Sequence, residues 1–185
     1  MTRIIGIDPG SRITGYGIIE QQGQQISYIA SGCIRSSDST FPERLGTIFT
    51  GVEQLLEEFR PEEMAVEQVF VNKNAGSALK LGQARGMALL APAMAGLRVG
   101  EYPPNLIKKS VVGAGHAEKR QIQLMVKMLL PKAQFSNADE ADALMLRSVE
   151  LAMRSRDEFV AATAPEFVPL VAASIGPYGA VLHDG

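Results

Sequence analysis

The spacing of apolar and polar positions changes several times along the chain, and each change marks an element. Residues 3–8, "RIIGID", are a β-branched apolar run that ends on an acidic residue, the pattern of a buried-type strand. "DPGS" is turn chemistry. Residues 13–20, "ITGYGIIE", resume the strand pattern, "QQGQQ" supplies a second turn, and "ISYIASGCI" is a third run. A three-stranded antiparallel meander is therefore predicted. The period then becomes helical: in "TFPERLGTIFTGVEQLLEEF", residues 40–59, Thr40 and Glu43 stand at capping-box spacing and Pro42 lies in the first turn. Apolar residues at 45, 48, 49, 52, 55, 56 and 59 complete an amphipathic helix.

Residues 63–70, "EMAVEQVF", read as a short buried-type strand, and residues 76–91 as a helix that Pro92 should break or kink. "LRVGEY" is a fifth strand. A short helix from about Asn105 leads into the loop "GAGHAEKR", and Ile122, Met125, Val126 and Leu129 mark the next helix by their spacing. A last helix is expected from about Asn137 to Ser155. The order β-β-β-α-β-α-β-α-α-α predicts an α/β domain on a mixed sheet. Beyond residue 156 the chain turns rich in Ala, Pro and Gly and loses both periods. The expected division is a folded domain over 1–156 and an atypical, poorly ordered tail over 157–185.

Composition narrows the chemistry. With 185 residues, 46% apolar and 21% charged, the chain can bury a core and is not of disordered type. No charged leader precedes an apolar block, and no apolar run approaches the roughly 20 residues of a membrane span, so a cytoplasmic protein without a membrane partner is expected. One cysteine, Cys33, excludes an internal disulfide, and two scattered histidines offer no zinc cluster. Any metal would be hard and oxygen-bound. The net charge of −2 conceals a pattern: residues 61–130 hold nine basic against five acidic side chains, between two acidic ends. One face could meet a polyanion while another meets a cation.

Four acids are awkward as solvated surface. Asp8 ends an apolar strand, Glu67 lies inside another, and Asp139 and Asp142 stand three apart at the start of a helix, hence on one of its faces. Taken singly, Asp8 fits a turn and the Asp pair fits compensation of the helix dipole. Taken together, clustered carboxylates repel unless a cation neutralises them. Oxygen-only ligands favour Mg²⁺ or Mn²⁺, and two such ions suit phosphodiester hydrolysis.

Four motifs, "GIDPGSRITGYG", "EQVF" followed by "KNAGSALKLGQARG", "VVGAGHAEKRQ" and "ADEADAL", closely resemble the Holliday-junction resolvases of the RuvC type, the crossover junction endodeoxyribonucleases. The resemblance runs from about residue 2 to 155. It implies a ribonuclease H-like fold: a five-stranded mixed sheet, three strands antiparallel and two parallel, flanked by helices. It also implies a homodimer that nicks four-way junction DNA symmetrically, with two Mg²⁺ per active site that Mn²⁺ can replace, and the RuvA and RuvB branch-migration proteins as partners. The family's catalytic and metal-holding acids match Asp8, Glu67, Asp139 and Asp142.

The basic middle then gains a task. Lys108 and Lys119 match family lysines, and Lys109 and Arg120 add charge that a phosphate backbone would feel. Lys73, Lys80 and Arg85 flank a helix start whose free N–H groups could also receive phosphate. Phe70 is by base rate a core residue, but by resemblance it matches the aromatic that stacks on an unpaired base beside the cut. The small residues Ala78, Gly82, Ala84, Gly86 and Ala88 permit close helix approach and suggest a dimer interface.

Two other classes remain in view. Actin-like ATPases and sugar kinases also open on a "GIDxGS" strand and turn, although they need two lobes and a second phosphate loop. A catalytically silent junction binder would not require the four acids. The tail "PLVAASIGPYGAVLHDG" departs from the resolvases and faintly resembles a segment of the homocysteine methyltransferases, without a cysteine for that family's zinc.

Overall fold

The computed structural model describes residues 1–23, 25–36, 40–68, 75–104, 119–134 and 143, with the backbone alone for 119, 120 and 122. The expected helix from Asn105, most of the loop after it, most of the last helix and the tail 157–185 lie outside these residues. So do Phe70, Lys73, Lys108, Lys109, Asp139 and Asp142.

Five strands form one sheet in the order β3-β2-β1-β4-β5. β1 (Thr2–Asp8), β2 (Ile13–Gln22) and β3 (Gln25–Arg35) make the predicted antiparallel meander. Gly23, at φ 59°, turns the second hairpin, where an L side chain would be strained. β4 (Glu63–Glu67) and β5 (Arg98–Tyr102) run parallel to β1. β4 ends at Glu67, three residues before the predicted limit; the next residue, Gln68, leaves the ladder with its N–H bonded to the Tyr102 carbonyl at 2.8 Å.

Three helices are described. α1 (Phe41–Phe59) starts where predicted, with the Thr40 N–H and Oγ–H both donating to Glu43 Oε2, at 2.8 and 2.7 Å. It ends at Arg60 in the left-handed region, φ 47°, whose N–H caps the Leu56 carbonyl. α2 (Ala75–Met94) runs through Pro92 for two further residues instead of stopping before it. Pro92 lies in the last turn, where its missing N–H removes one bond and the chain closes at once through Leu97 N–H to the Pro92 carbonyl, 2.9 Å. α3 (Lys119–Leu129) begins two residues inside the predicted loop, so Lys119 and Arg120 open a helix.

Strand side chains alternate between faces, so the register assigns each one. Ile5, Ile7, Ile18, Met64 and Val66 share a face and pack in one cluster with Ile48, Val52 and Leu55 of α1 and Ala84, Ala88 and Ala91 of α2. Ile4, Ile19 and Ala65 point the other way and are also fully buried or nearly so. On that second face Tyr28 and Ser31 donate to the Gln134 carbonyl at 3.3 and 2.8 Å, which ties the chain after α3 to β3.

Candidate functional site

Asp8 and Glu67 are each the last residue of their strand. β1 and β4 are neighbours, with Ile4 through Ile7 paired in register to Glu63 through Val66. One step further along both strands brings Asp8 beside Glu67. By alternation both carboxylates leave the second face, opposite α1 and α2, and both are half-buried. The condition for bringing these two acids together, adjacency of the first and fourth strands, is met. Parallel strands lie about 4.8 Å apart, so two carboxylates in this arrangement repel unless a cation joins them.

The opposite ends of these strands show the contrast. There Arg3 pairs with Glu20 at 3.0 Å, and Arg98 pairs with Glu63 across β5 and β4. At the carboxylate end the pair of opposite sign, Arg85 with Glu101, lies on the helix side of the sheet, and on the second face two charges of the same sign stand side by side.

The turn that follows Asp8 is held from three sides. Thr14, fully buried, donates its hydroxyl to the Gly10 carbonyl at 3.1 Å and accepts the Gly10 N–H at 3.3 Å. A Cβ on Gly10 would lie 1.9 Å from the Ile13 carbonyl oxygen, so only glycine fits. Ser36 binds the Arg12 carbonyl through both its N–H and its hydroxyl, and Arg44 reaches the Ser11 carbonyl. Thr14 was not singled out in the sequence; a Thr four residues beyond a turn glycine was the available signal.

Below the carboxylates one row of the second face carries only small residues, although Ile4 and Ile19 are buried beyond it and the Tyr102 ring lies against Gly100. Ser31, Gly17, Gly6, Ala65 and Gly100 are consecutive partners across all five strands. Gly15 stands opposite Asp8, and Gly6, Gly15 and Gly17 are buried. These glycines lie inside strands, where they lower the floor of the site and let another backbone approach.

The basic residues divide. Lys80 is exposed, its Nζ 5.9 Å from the centre of the Phe41 ring. Arg85, expected among the DNA contacts, is turned into the protein, where it binds the Glu67 carbonyl and pairs with Glu101. Glu101 was not anticipated, because nothing in "LRVGEY" signals a partner on α2. Helix α2 also presents Leu79, Leu90 and Met94 to solvent, 66%, 43% and 71% exposed, along the stripe that includes Gly82 and Gly86.

Among the described residues no group of three His, Cys, Asp or Glu side chains could hold a metal ion; Asp8 and Glu67 supply two oxygen donors of the type Mg²⁺ prefers. Among the same residues no helix is long and apolar enough to cross a membrane.

Comparison with known proteins agrees with this geometry. The family described as crossover junction endodeoxyribonuclease RuvC matches residues 4–149. A second family, homocysteine S-methyltransferase, matches residues 123–185 and so takes in the tail. A curated crossover junction endodeoxyribonuclease RuvC of Rhodopseudomonas palustris (strain BisA53) is 60% identical over 144 residues, 77% of this chain and 82% of that protein. One from Sinorhizobium medicae (strain WSM419) is 54% identical over 147 residues, 79% and 88% of the two chains. The structure of T. thermophilus RuvC in complex with a Holliday junction substrate superposes with a TM-score of 0.77 at 32% identity, covering 85% of this chain and 97% of that one. The five-stranded mixed sheet is that of the ribonuclease H-like fold, and the chain belongs to the RuvC family of crossover junction endodeoxyribonucleases.

Proposed function

We propose that the protein resolves four-way DNA junctions by cutting two strands symmetrically, as a homodimer, with Asp8, Glu67, Asp139 and Asp142 holding two Mg²⁺ ions. The observation that carries the metal reading is the pair Asp8 and Glu67, brought to one face at the ends of neighbouring parallel strands above a floor of small residues. Gln134 lies against that face, and nine residues later Ala143, which follows Asp142, is helical and fully buried. This supports a helix that brings Asp139 and Asp142 to the strand carboxylates.

When bound, the ions would lower the pKa of a water and stabilise the leaving oxygen of the phosphodiester; Mn²⁺ would serve as well. Asp8, Glu67, Asp139 and Asp142 would supply the carboxylate oxygens that hold the ions. The pinned turn after Asp8 fixes the backbone that follows this carboxylate, which would favour a preorganised site. Lys108, Lys109, Lys119 and Arg120 would hold phosphates of the junction, with Lys73 just before α2 in the sequence and Lys80 on that helix. Phe70, three residues beyond Glu67, would stack on an unpaired base at the opened junction.

The exposed stripe of α2 supports pairing of two copies along this helix. Two sites related by a dimer axis would match the two-fold symmetry of the junction. Action in the cytoplasm with the RuvA and RuvB branch-migration proteins follows from the family alone. The second family match carries no methyl-transfer chemistry here, because the chain's one cysteine, Cys33, lies outside residues 123–185.

The decisive assay offers the protein a synthetic four-way junction and a linear duplex of the same sequence in Mg²⁺. Paired nicks at symmetric positions of the junction, with the duplex intact, are expected. Equal cutting of the duplex, or no cutting of either, would overturn the reading.

A further inference from the structure

Arg85 is the charged side chain of α2 that faces inward, with 18% of its side chain exposed. Its Nε–H donates to the main-chain carbonyl of Glu67 at 3.1 Å, while its terminal nitrogen pairs with the Glu101 carboxylate on β5. Glu67 is where β4 ends, and one residue later the chain is held again by the Gln68 N–H on the Tyr102 carbonyl. We propose that Arg85 is a positioning residue for Glu67, fixing from the helix side of the sheet the peptide whose side chain holds a metal ion on the other side. The proposal rests on the reading of Glu67 as a ligand.

Three features of the geometry support it. The carbonyl of the last residue of β4 is taken by a donor from outside the sheet, Arg85, where the strand ends. Glu101 pairs in register with Val66, so the clamp lies on the face packed against α1 and α2 and leaves the carboxylate face open. The guanidinium shares its charge with Glu101, so it stiffens the strand end without adding an uncompensated positive charge that would repel a cation. Groups that orient metal ligands in this indirect way typically change metal affinity by about 10–100-fold when removed.

The test measures metal binding apart from cleavage. Mn²⁺ binding to the free protein is followed by electron paramagnetic resonance for the wild type, Arg85→Ala, Arg85→Lys and Glu101→Gln. Four-way junction binding without divalent metal, and the Mg²⁺ dependence of cleavage, are measured alongside. Arg85→Ala should bind Mn²⁺ at least about ten-fold more weakly and need correspondingly more Mg²⁺, with metal-free junction affinity unchanged. Arg85→Lys, which keeps the charge and loses the planar fork, should recover only part of this. Unchanged Mn²⁺ affinity in Arg85→Ala would overturn the proposal, and so would a loss of metal-free junction affinity, which would make Arg85 a DNA contact.

Should Arg85→Ala not fold, Glu101→Gln decides: it removes the ion pair, leaves the bond to Glu67, and should weaken Mn²⁺ binding by a few-fold; no shift overturns the clamp. Asp8→Asn serves as the control. If it cuts junctions at the wild-type rate, the metal site itself is misassigned, an outcome distinct from failure of the clamp.

Discussion

The two faces of the sheet are built from alternate residues of the same strands and have opposite characters. Toward α1 and α2 the strands present Ile5, Ile7, Ile18, Met64 and Val66, branched or long and fully buried. Toward the other side they present Ser31, Gly17, Gly6, Ala65 and Gly100, with Asp8 and Glu67 at the strand ends. The first face is filled by its own side chains throughout; the second is low along this one row, with Ile4 and Ile19 buried beyond it. A single-residue shift in register would exchange the two, so the register that builds the core also delivers the carboxylates.

Substitutions on the two faces should therefore fail in different ways. Asp8→Asn is expected to cut junctions on the order of 10³-fold more slowly while binding them normally, since several kcal/mol of transition-state stabilisation would go with the metal site. Gel-shift and cleavage assays on one preparation measure both, and cleavage near the wild-type rate would erase the distinction between the faces. Ile18→Ala, on the packed face, should lose about 2–5 kcal/mol in denaturant unfolding, yet the molecules that remain folded should cut junctions at the normal rate. A large drop in cutting per folded molecule would show that the packed face also serves the chemistry.

Gly17→Ala places one methyl on the low floor. A stability cost of about 1–3 kcal/mol is expected, with a fall in cleavage larger than the unfolded fraction accounts for. If cleavage tracks stability alone, the floor has only a packing role. The smallest effect lies away from both faces, at the cap of α1. The exposed Glu43 carboxyl is held below its ordinary value chiefly by the Thr40 hydroxyl and then by the Thr40 N–H. A depressed carboxylate adds stability that is present above its unfolded pKa and disappears as pH falls through the folded value. Glu43→Gln should flatten the acid limb of the melting-temperature profile below about pH 4.5 and leave junction cutting at neutral pH untouched.

Much of this was written locally. The meander could be read because "DPGS" and "QQGQQ" interrupt three apolar runs, and α1 because Thr40, Pro42 and Glu43 announce it. The acids Asp8 and Glu67 stood out as charges in apolar strands, and the structure puts their strands side by side. Elements bounded by tertiary contacts were harder. Pro92 reads as a stop, but a proline in the final turn costs one bond in a helix already anchored by Ala84, Ala88 and Ala91. Arg85 reads as a cation for DNA because charge alone is visible in "GQARG"; its partners come from β4 and β5, 18 and 16 residues away. The row of small residues was invisible for the same reason. Gly6, Gly17, Ala65 and Gly100 are scattered over four strands, and only the register lines them up.

Helix α2 carries apolar surface on two sides, Ala84, Ala88 and Ala91 inward and Leu79, Leu90 and Met94 outward. If copies pair along the outer stripe as proposed, the persistence of each molecule depends on how many others surround it. By mass action the melting temperature should then climb with protein concentration. Dilution would return Leu79, Leu90 and Met94 of each copy to water, so the apolar ridge that joins the pair is also what dissociation exposes.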